Sequence, residues 1–159
     1  RENIHSSPWK GRINIFHADV RNFGPGKTYD LVISNPPFYK NDLRSPDRQK
    51  NISKHSEALT IDALFEITAK LLDENGHFAI LLPFHRSRPA EQTASKNGLY
   101  LREKLFVKQS ADHPVFRTMM IFQKGRMETA YNREISIKDN GDAYTKEFTG
   151  LLKDYYLYL

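Results

Sequence analysis

An α/β fold with a mixed sheet is what the sequence predicts, on three observations. Two continuously apolar runs, Leu31-Val32-Ile33 and residues 78–82, have the composition of parallel strands covered on both faces. Between them lies a stretch with apolar residues at helical spacing, so the three together form a parallel crossover unit. Two further strand patterns follow, joined by a short loop, as in an antiparallel C-terminal hairpin at a sheet edge.

In chain order, residues 1–7 leave no room for a substantial helix and are closed by Pro8. Residues 12–16 alternate polar with apolar side chains and predict a short strand that runs on to Asp19. Asn22-Phe23-Gly24-Pro25-Gly26 is a turn-rich linker, and the next strand spans 29–34. Residues 39–56 are polar, which predicts a long surface loop. Thr60 is placed as a helix N-cap, with Asp62 in the first turn and Leu59 set to staple onto Leu64. Ile61, Leu64, Phe65, Ile67, Leu71 and Leu72 make the apolar stripe, and Asn75-Gly76 ends the helix. The strand at 78–82 stops at Pro83. Residues 88–97 fit a short helix with Pro89 in its first turn and Gly98 closing it. The hairpin strands occupy 99–107 and 116–124, with His113-Pro114 in their loop. Residues 134–138 add a short strand and 148–156 a terminal helical turn or two.

At 159 residues with 39% hydrophobic content, the chain is sized for one domain around a single core. Lys and Arg number 24 against 19 Asp and Glu, and the resulting +5 charge favours an anionic partner without requiring one. Cysteine is absent, which excludes disulfides and thiolate metal sites, and the 6 histidines have no metal-ligand spacing, so no metal is expected. No apolar run is long enough to span a membrane and no signal-peptide pattern opens the chain, so the expected location is the cytoplasm.

The chemistry concentrates at Asn35-Pro36-Pro37-Phe38, directly behind the first apolar strand. Two successive prolines fix φ and delete two backbone donors, so the strand stops there and its carbonyls are left free. Such a corner suits a planar group bearing an NH2: the Asn35 amide oxygen and the Pro36 carbonyl can each accept one of its hydrogens, and Phe38 can stack on its ring. The alternative is a plain proline turn with Phe38 as a core plug. Position favours the first reading, because open α/β sheets bind ligands at the C-terminal ends of their strands.

These residues resemble the C-terminal two-thirds of a Rossmann-like class I methyltransferase dependent on S-adenosylmethionine. The corner matches the Asn-Pro-Pro-Phe/Tyr signature of enzymes that methylate exocyclic or amide nitrogens. Within that group the chain resembles bacterial tRNA1(Val) adenine N6-methyltransferases, through Ser7-Pro8-Trp9, Phe16-His17-Ala18-Asp19, the corner, His55 ahead of Leu59-Thr60, residues 76–83 and the tail at 144–156. The resemblance implies an enzyme that methylates an adenine N6 in tRNA. It implies that Asn35, Pro36, Pro37 and Phe38 hold the target base, and that Asp19, Val20 and Asn35 contact the cofactor. For Asp19, capping of the following turn is an equal alternative. Lys40, Arg44, Arg48, Lys50, Lys54, Arg86 and Arg88 would contact tRNA phosphates, or else form an ordinary solvated surface.

The chain departs from the family pattern at its front. No glycine follows a strand and opens a helix, as the cofactor turn requires, and the first two strands of the family's sheet have no counterpart. Arg1 is therefore expected to be a cut edge, and residues 1–159 a single, N-terminally incomplete methyltransferase domain that is inactive alone and self-associates through unpaired strand edges. Two other readings remain: a protein glutamine N5-methyltransferase, whose family more often has Tyr at the position of Phe38, and a catalytically silent RNA-binding fragment.

Overall fold

The computed structural model describes residues 1–36 and 59–156. Its sheet has five strands: β1 (Tyr29–Ser34), β2 (Leu72–Pro83), β3 (Tyr100–Ser110), β4 (Val115–Gln123) and β5 (Tyr131–Lys138). They lie in the order β1-β2-β4-β3-β5. β1 and β2 are parallel, β4 is antiparallel to both of its neighbours, and β3 and β5 are parallel. Among the described residues the helices are α1 (Glu2–His5), α2 (Ile61–Leu71), α3 (Ser87–Lys96) and α4 (Lys146–Leu152).

β1 has the bounds its sequence predicts, and the crossover through α2 to a parallel β2 is formed. Thr60 caps α2, its Oγ1 accepting the Ala63 N–H at 3.1 Å. Gly98 closes α3 at φ +71°, a backbone region that glycine occupies without strain. Leu64 and Phe65 of α2 with Ala90 and Ala94 of α3 cover one sheet face, burying Phe78, Ile80, Leu82, Met120 and Phe122. The two helices are tied by Thr93 Oγ1, which donates to Asp62 Oδ1 at 3.2 Å.

Several sequence expectations are corrected. α2 ends at Leu71, not at Asn75-Gly76, and β2 begins at Leu72. Gly76 lies inside β2, where a Cβ would come within 2.8 Å of the Tyr29 carbonyl oxygen and 2.9 Å of Leu72 Cγ. It therefore permits a close backbone approach and does not cap a helix. Residues 13–17 form no strand: Ile13, Ile15 and Phe16 are exposed and no described strand lies beside them. A β pattern without a partner leaves its N–H and C=O groups to water, so alternation alone does not make a strand. The hairpin of β3 and β4 forms as expected but is internal: β4 pairs with β2 and β3 pairs with β5, which takes the edge. Residues 2–5 do form one helical turn.

β1 also differs from the expectation that both faces are covered. Its Val32 side packs on the core, but Leu31 and Ile33 are 53% and 73% exposed. The register continues that bare face across the sheet, from Ile33 to Ala79 to Ile121 and from Leu81 to Met119 to Leu105. Among the described strands β1 pairs only with β2.

Candidate functional site

The corner sits where β1 and β2 end side by side. Ser34 pairs with Ile80, so Asn35 and Pro36 leave the sheet next to the last residues of β2. Asn35 is exposed and its amide makes no hydrogen bond to another described residue, and Pro36 is half-buried. Pro37, Phe38, Lys40, Arg44, Arg48, Lys50 and Lys54 lie outside the described residues. Beyond Pro83, β2 turns through a single 3-10 turn, Phe84–Arg86, into α3. Arg86 is half-buried in that turn, and Arg88 is exposed in the first turn of α3, both at the same end of the sheet as the corner.

Asp19 is the N-cap of the 3-10 turn Val20–Asn22. Its Oδ1 accepts the Arg21 N–H at 2.9 Å, and the Arg21 guanidinium donates to both carboxylate oxygens. In this structure Asp19 caps the turn, and an incoming amine would compete with Arg21 for its carboxylate. The hydrogen bonds from the Arg21 side chain and then its backbone N–H hold the carboxyl below 3.8, the ordinary aspartate value. A depressed folded pKa means that the local order it provides is complete above the unfolded value and is lost as pH falls through the folded one. An NMR titration of Asp19 is thus expected to give a midpoint below 3.8, rising in Arg21→Ala. A native midpoint at or above that value would sink this account.

Sequence reasoning missed three residues at this end of the sheet. Phe84 and Phe116 are 45% and 41% exposed, and Arg117 lies 5.8 Å from the Phe116 ring centroid. The available signal was an aromatic residue at a strand terminus with a cation close in sequence. At the far edge of the sheet, two open depressions of about 480 and 260 Å³ are lined by residues of β5, the β3–β4 turn and the loop before α4. Among their lining residues Lys138 pairs with Asp142, and Glu134 pairs with Lys108 beside them. Among the described residues no cluster could hold a metal ion, and no helix is long and apolar enough to cross a membrane.

A parallel strand pair ending in a proline corner, with the helical layer on one face and a hairpin completing the sheet, defines a Rossmann-like class I methyltransferase fold. A crystal structure described as a predicted O-methyltransferase, from Agrobacterium tumefaciens, superimposes with a TM-score of 0.62 over 93% of this chain and 66% of its own, at 15% identity. No protein-family model matches the chain. Curated relatives do: the tRNA1(Val) (adenine(37)-N6)-methyltransferase of Christiangramia forsetii is 32% identical over 99% of this chain and 67% of its own length. Proteins of the same name from Dyadobacter fermentans and Serratia proteamaculans are 34% and 30% identical, with 66% and 61% of their lengths covered. The chain belongs to the tRNA1(Val) (adenine(37)-N6)-methyltransferase family and spans about two thirds of the length of these relatives.

Proposed function

We propose that this chain is the substrate-side portion of an enzyme that methylates an exocyclic adenine N6 in tRNA, with S-adenosylmethionine as methyl donor. The observation that carries the reading is the corner itself: an exposed, uncommitted Asn35 amide next to Pro36 at the C-terminal end of β1, in a member of this family. An adenine N6 lone pair is delocalised into the ring and is a weak nucleophile. Acceptance of its two hydrogens by the Asn35 amide oxygen and the Pro36 carbonyl favours pyramidalisation and aims the lone pair. Pro37 stiffens the corner and Phe38 stacks on the base. S-adenosylmethionine supplies the electrophilic methyl group when bound.

The residues present fit the cofactor in part. Asp19 offers a carboxylate to its adenine amine once Arg21 moves, with the Val20 backbone beside it, and Asn35 borders both ligands. Lys40, Arg44, Arg48, Lys50, Lys54, Arg86 and Arg88 are assigned to tRNA phosphates. The relatives' names support tRNA as the partner, and with it a cytoplasmic site of action. The test is methyl transfer to undermodified tRNA by the full-length gene product and its Asn35→Ala variant.

The lack of a second partner for β1 among the described strands and the exposure of Ile33 and Met119 support self-association of the 159-residue chain. Sedimentation equilibrium is expected to give a mass above the monomer's, and Ile33→Lys is expected to lower it. A monodisperse monomer at tens of micromolar would count against this.

A further inference from the structure

Phe84 follows the last residue of β2 and Phe116 is the second residue of β4, and they lie at the same end of the sheet because Pro83 pairs with Arg117 in the antiparallel register. Both rings therefore stand at the end of the sheet that carries Asn35, and both are close to half exposed. A single exposed aromatic is unremarkable on a protein surface; two on adjacent strand ends beside cations are less so.

Phe84 is held in place by buried polar groups. Ser87 Oγ lies 2.8 Å from the Phe84 carbonyl oxygen and 3.0 Å from Thr118 Oγ1, and Ser87 and Thr118 are 5% and 0% exposed. The Phe84 ring meets Phe106 edge-to-face at 5.9 Å. A ring whose backbone is pinned in this way loses little entropy when a planar ligand stacks on it. Charge is arranged to match. Lys104 lies 5.6 Å from the Phe106 ring but is committed to Glu91 at 2.7 Å. Arg117 stands over Phe116 with no carboxylate partner among the described residues, and Arg88 is exposed nearby in sequence on α3.

We propose that Phe84 and Phe116, with Arg117, form a stacking platform for an unpaired nucleotide of the RNA that flanks the adenine held at Asn35. This rests on the tRNA reading above and adds to it a second contact on the substrate. Aromatic faces accept any base, and an arginine beside them supplies cation–π attraction and a phosphate contact, the combination that binds single-stranded nucleic acid. One and two strands away from the corner, on β2's end and on β4, the platform holds RNA without touching the reacting nitrogen.

The test uses the full-length gene product, an unmodified tRNA1(Val) transcript and a perfectly paired RNA duplex of similar length. Phe84→Leu and Phe116→Leu keep an apolar side chain but remove the stacking face. Each is expected to weaken tRNA binding roughly 5- to 150-fold, the effect of losing one base stack, and to raise KM while leaving kcat at saturating tRNA within about twofold. Phe116→Tyr is expected to bind like the native protein, and duplex affinity is expected to be unaffected by any of the three. Leucine variants that bind tRNA as tightly as the native protein overturn the platform and leave the tRNA reading standing. A kcat loss with no change in KM also overturns it. A native protein that neither binds nor methylates the transcript overturns both.

Discussion

Asn35→Ala in the full-length gene product is expected to lower kcat for tRNA methylation about 100- to 1000-fold, the scale on which loss of one preorganised hydrogen-bonding group at a reacting centre is felt. The side chain is exposed and makes no hydrogen bond to another described residue, so its truncation removes no described support of the fold. The melting temperature is accordingly expected to change little. Asn35→Asp is a useful second variant, since it keeps an acceptor of the same shape and should retain more activity than alanine. A variant in which alanine methylates tRNA at the native rate would refute the role given to Asn35. KM for tRNA should be nearly unchanged, in contrast to the leucine variants at Phe84 and Phe116. The two sets of variants therefore separate the chemistry at the corner from the grip on the RNA.

The second large effect is on stability. Phe65 of α2 is fully buried and meets two other buried rings edge-to-face, Phe78 at 5.3 Å and Phe122 at 5.1 Å. These are the contacts that seat the helix on β2 and β4. Phe65→Ala is expected to cost about 3 to 5 kcal/mol, combining lost transfer free energy with a cavity that a three-ring cluster cannot collapse into. Urea denaturation should show the loss as a lower midpoint at nearly unchanged slope. A cost below about 1 kcal/mol would mean that the helix is not anchored there. Because α2 connects the two strands whose ends carry the corner, tRNA methylation by Phe65→Ala should also be lost on warming earlier than the native activity is.

What could be read from the sequence is what short-range chemistry dictates. The bounds of β1 follow from an apolar run cut by two prolines, the start of α2 from a threonine whose hydroxyl can reach an N–H three residues on, and the end of α3 from a glycine in a left-handed position. The candidate corner was legible for the same reason: the groups proposed to act, on Asn35 and Pro36, are placed side by side by the sequence itself.

The remaining features depended on partners distant in the chain, which local pattern does not encode. Residues 12–16 have the alternation of a strand but no described strand beside them, so the pattern stays irregular. Gly76 looks like a helix stop and is needed because Tyr29, forty-odd residues earlier, presses its carbonyl against that spot. The hold of the Arg21 guanidinium on both Asp19 carboxylate oxygens is likewise visible only in the folded chain. Phe84 and Phe116 come to the same end of the sheet through the pairing of Pro83 with Arg117, a register set by the alignment of β2 with β4 and by nothing in either segment alone. The sequence by itself thus determined the bounds of β1, the start of α2 and the end of α3, and it set Asn35 beside Pro36 behind β1. Tertiary structure decided which strands are neighbours, and so which side chains stand together at the end of the sheet that carries Asn35.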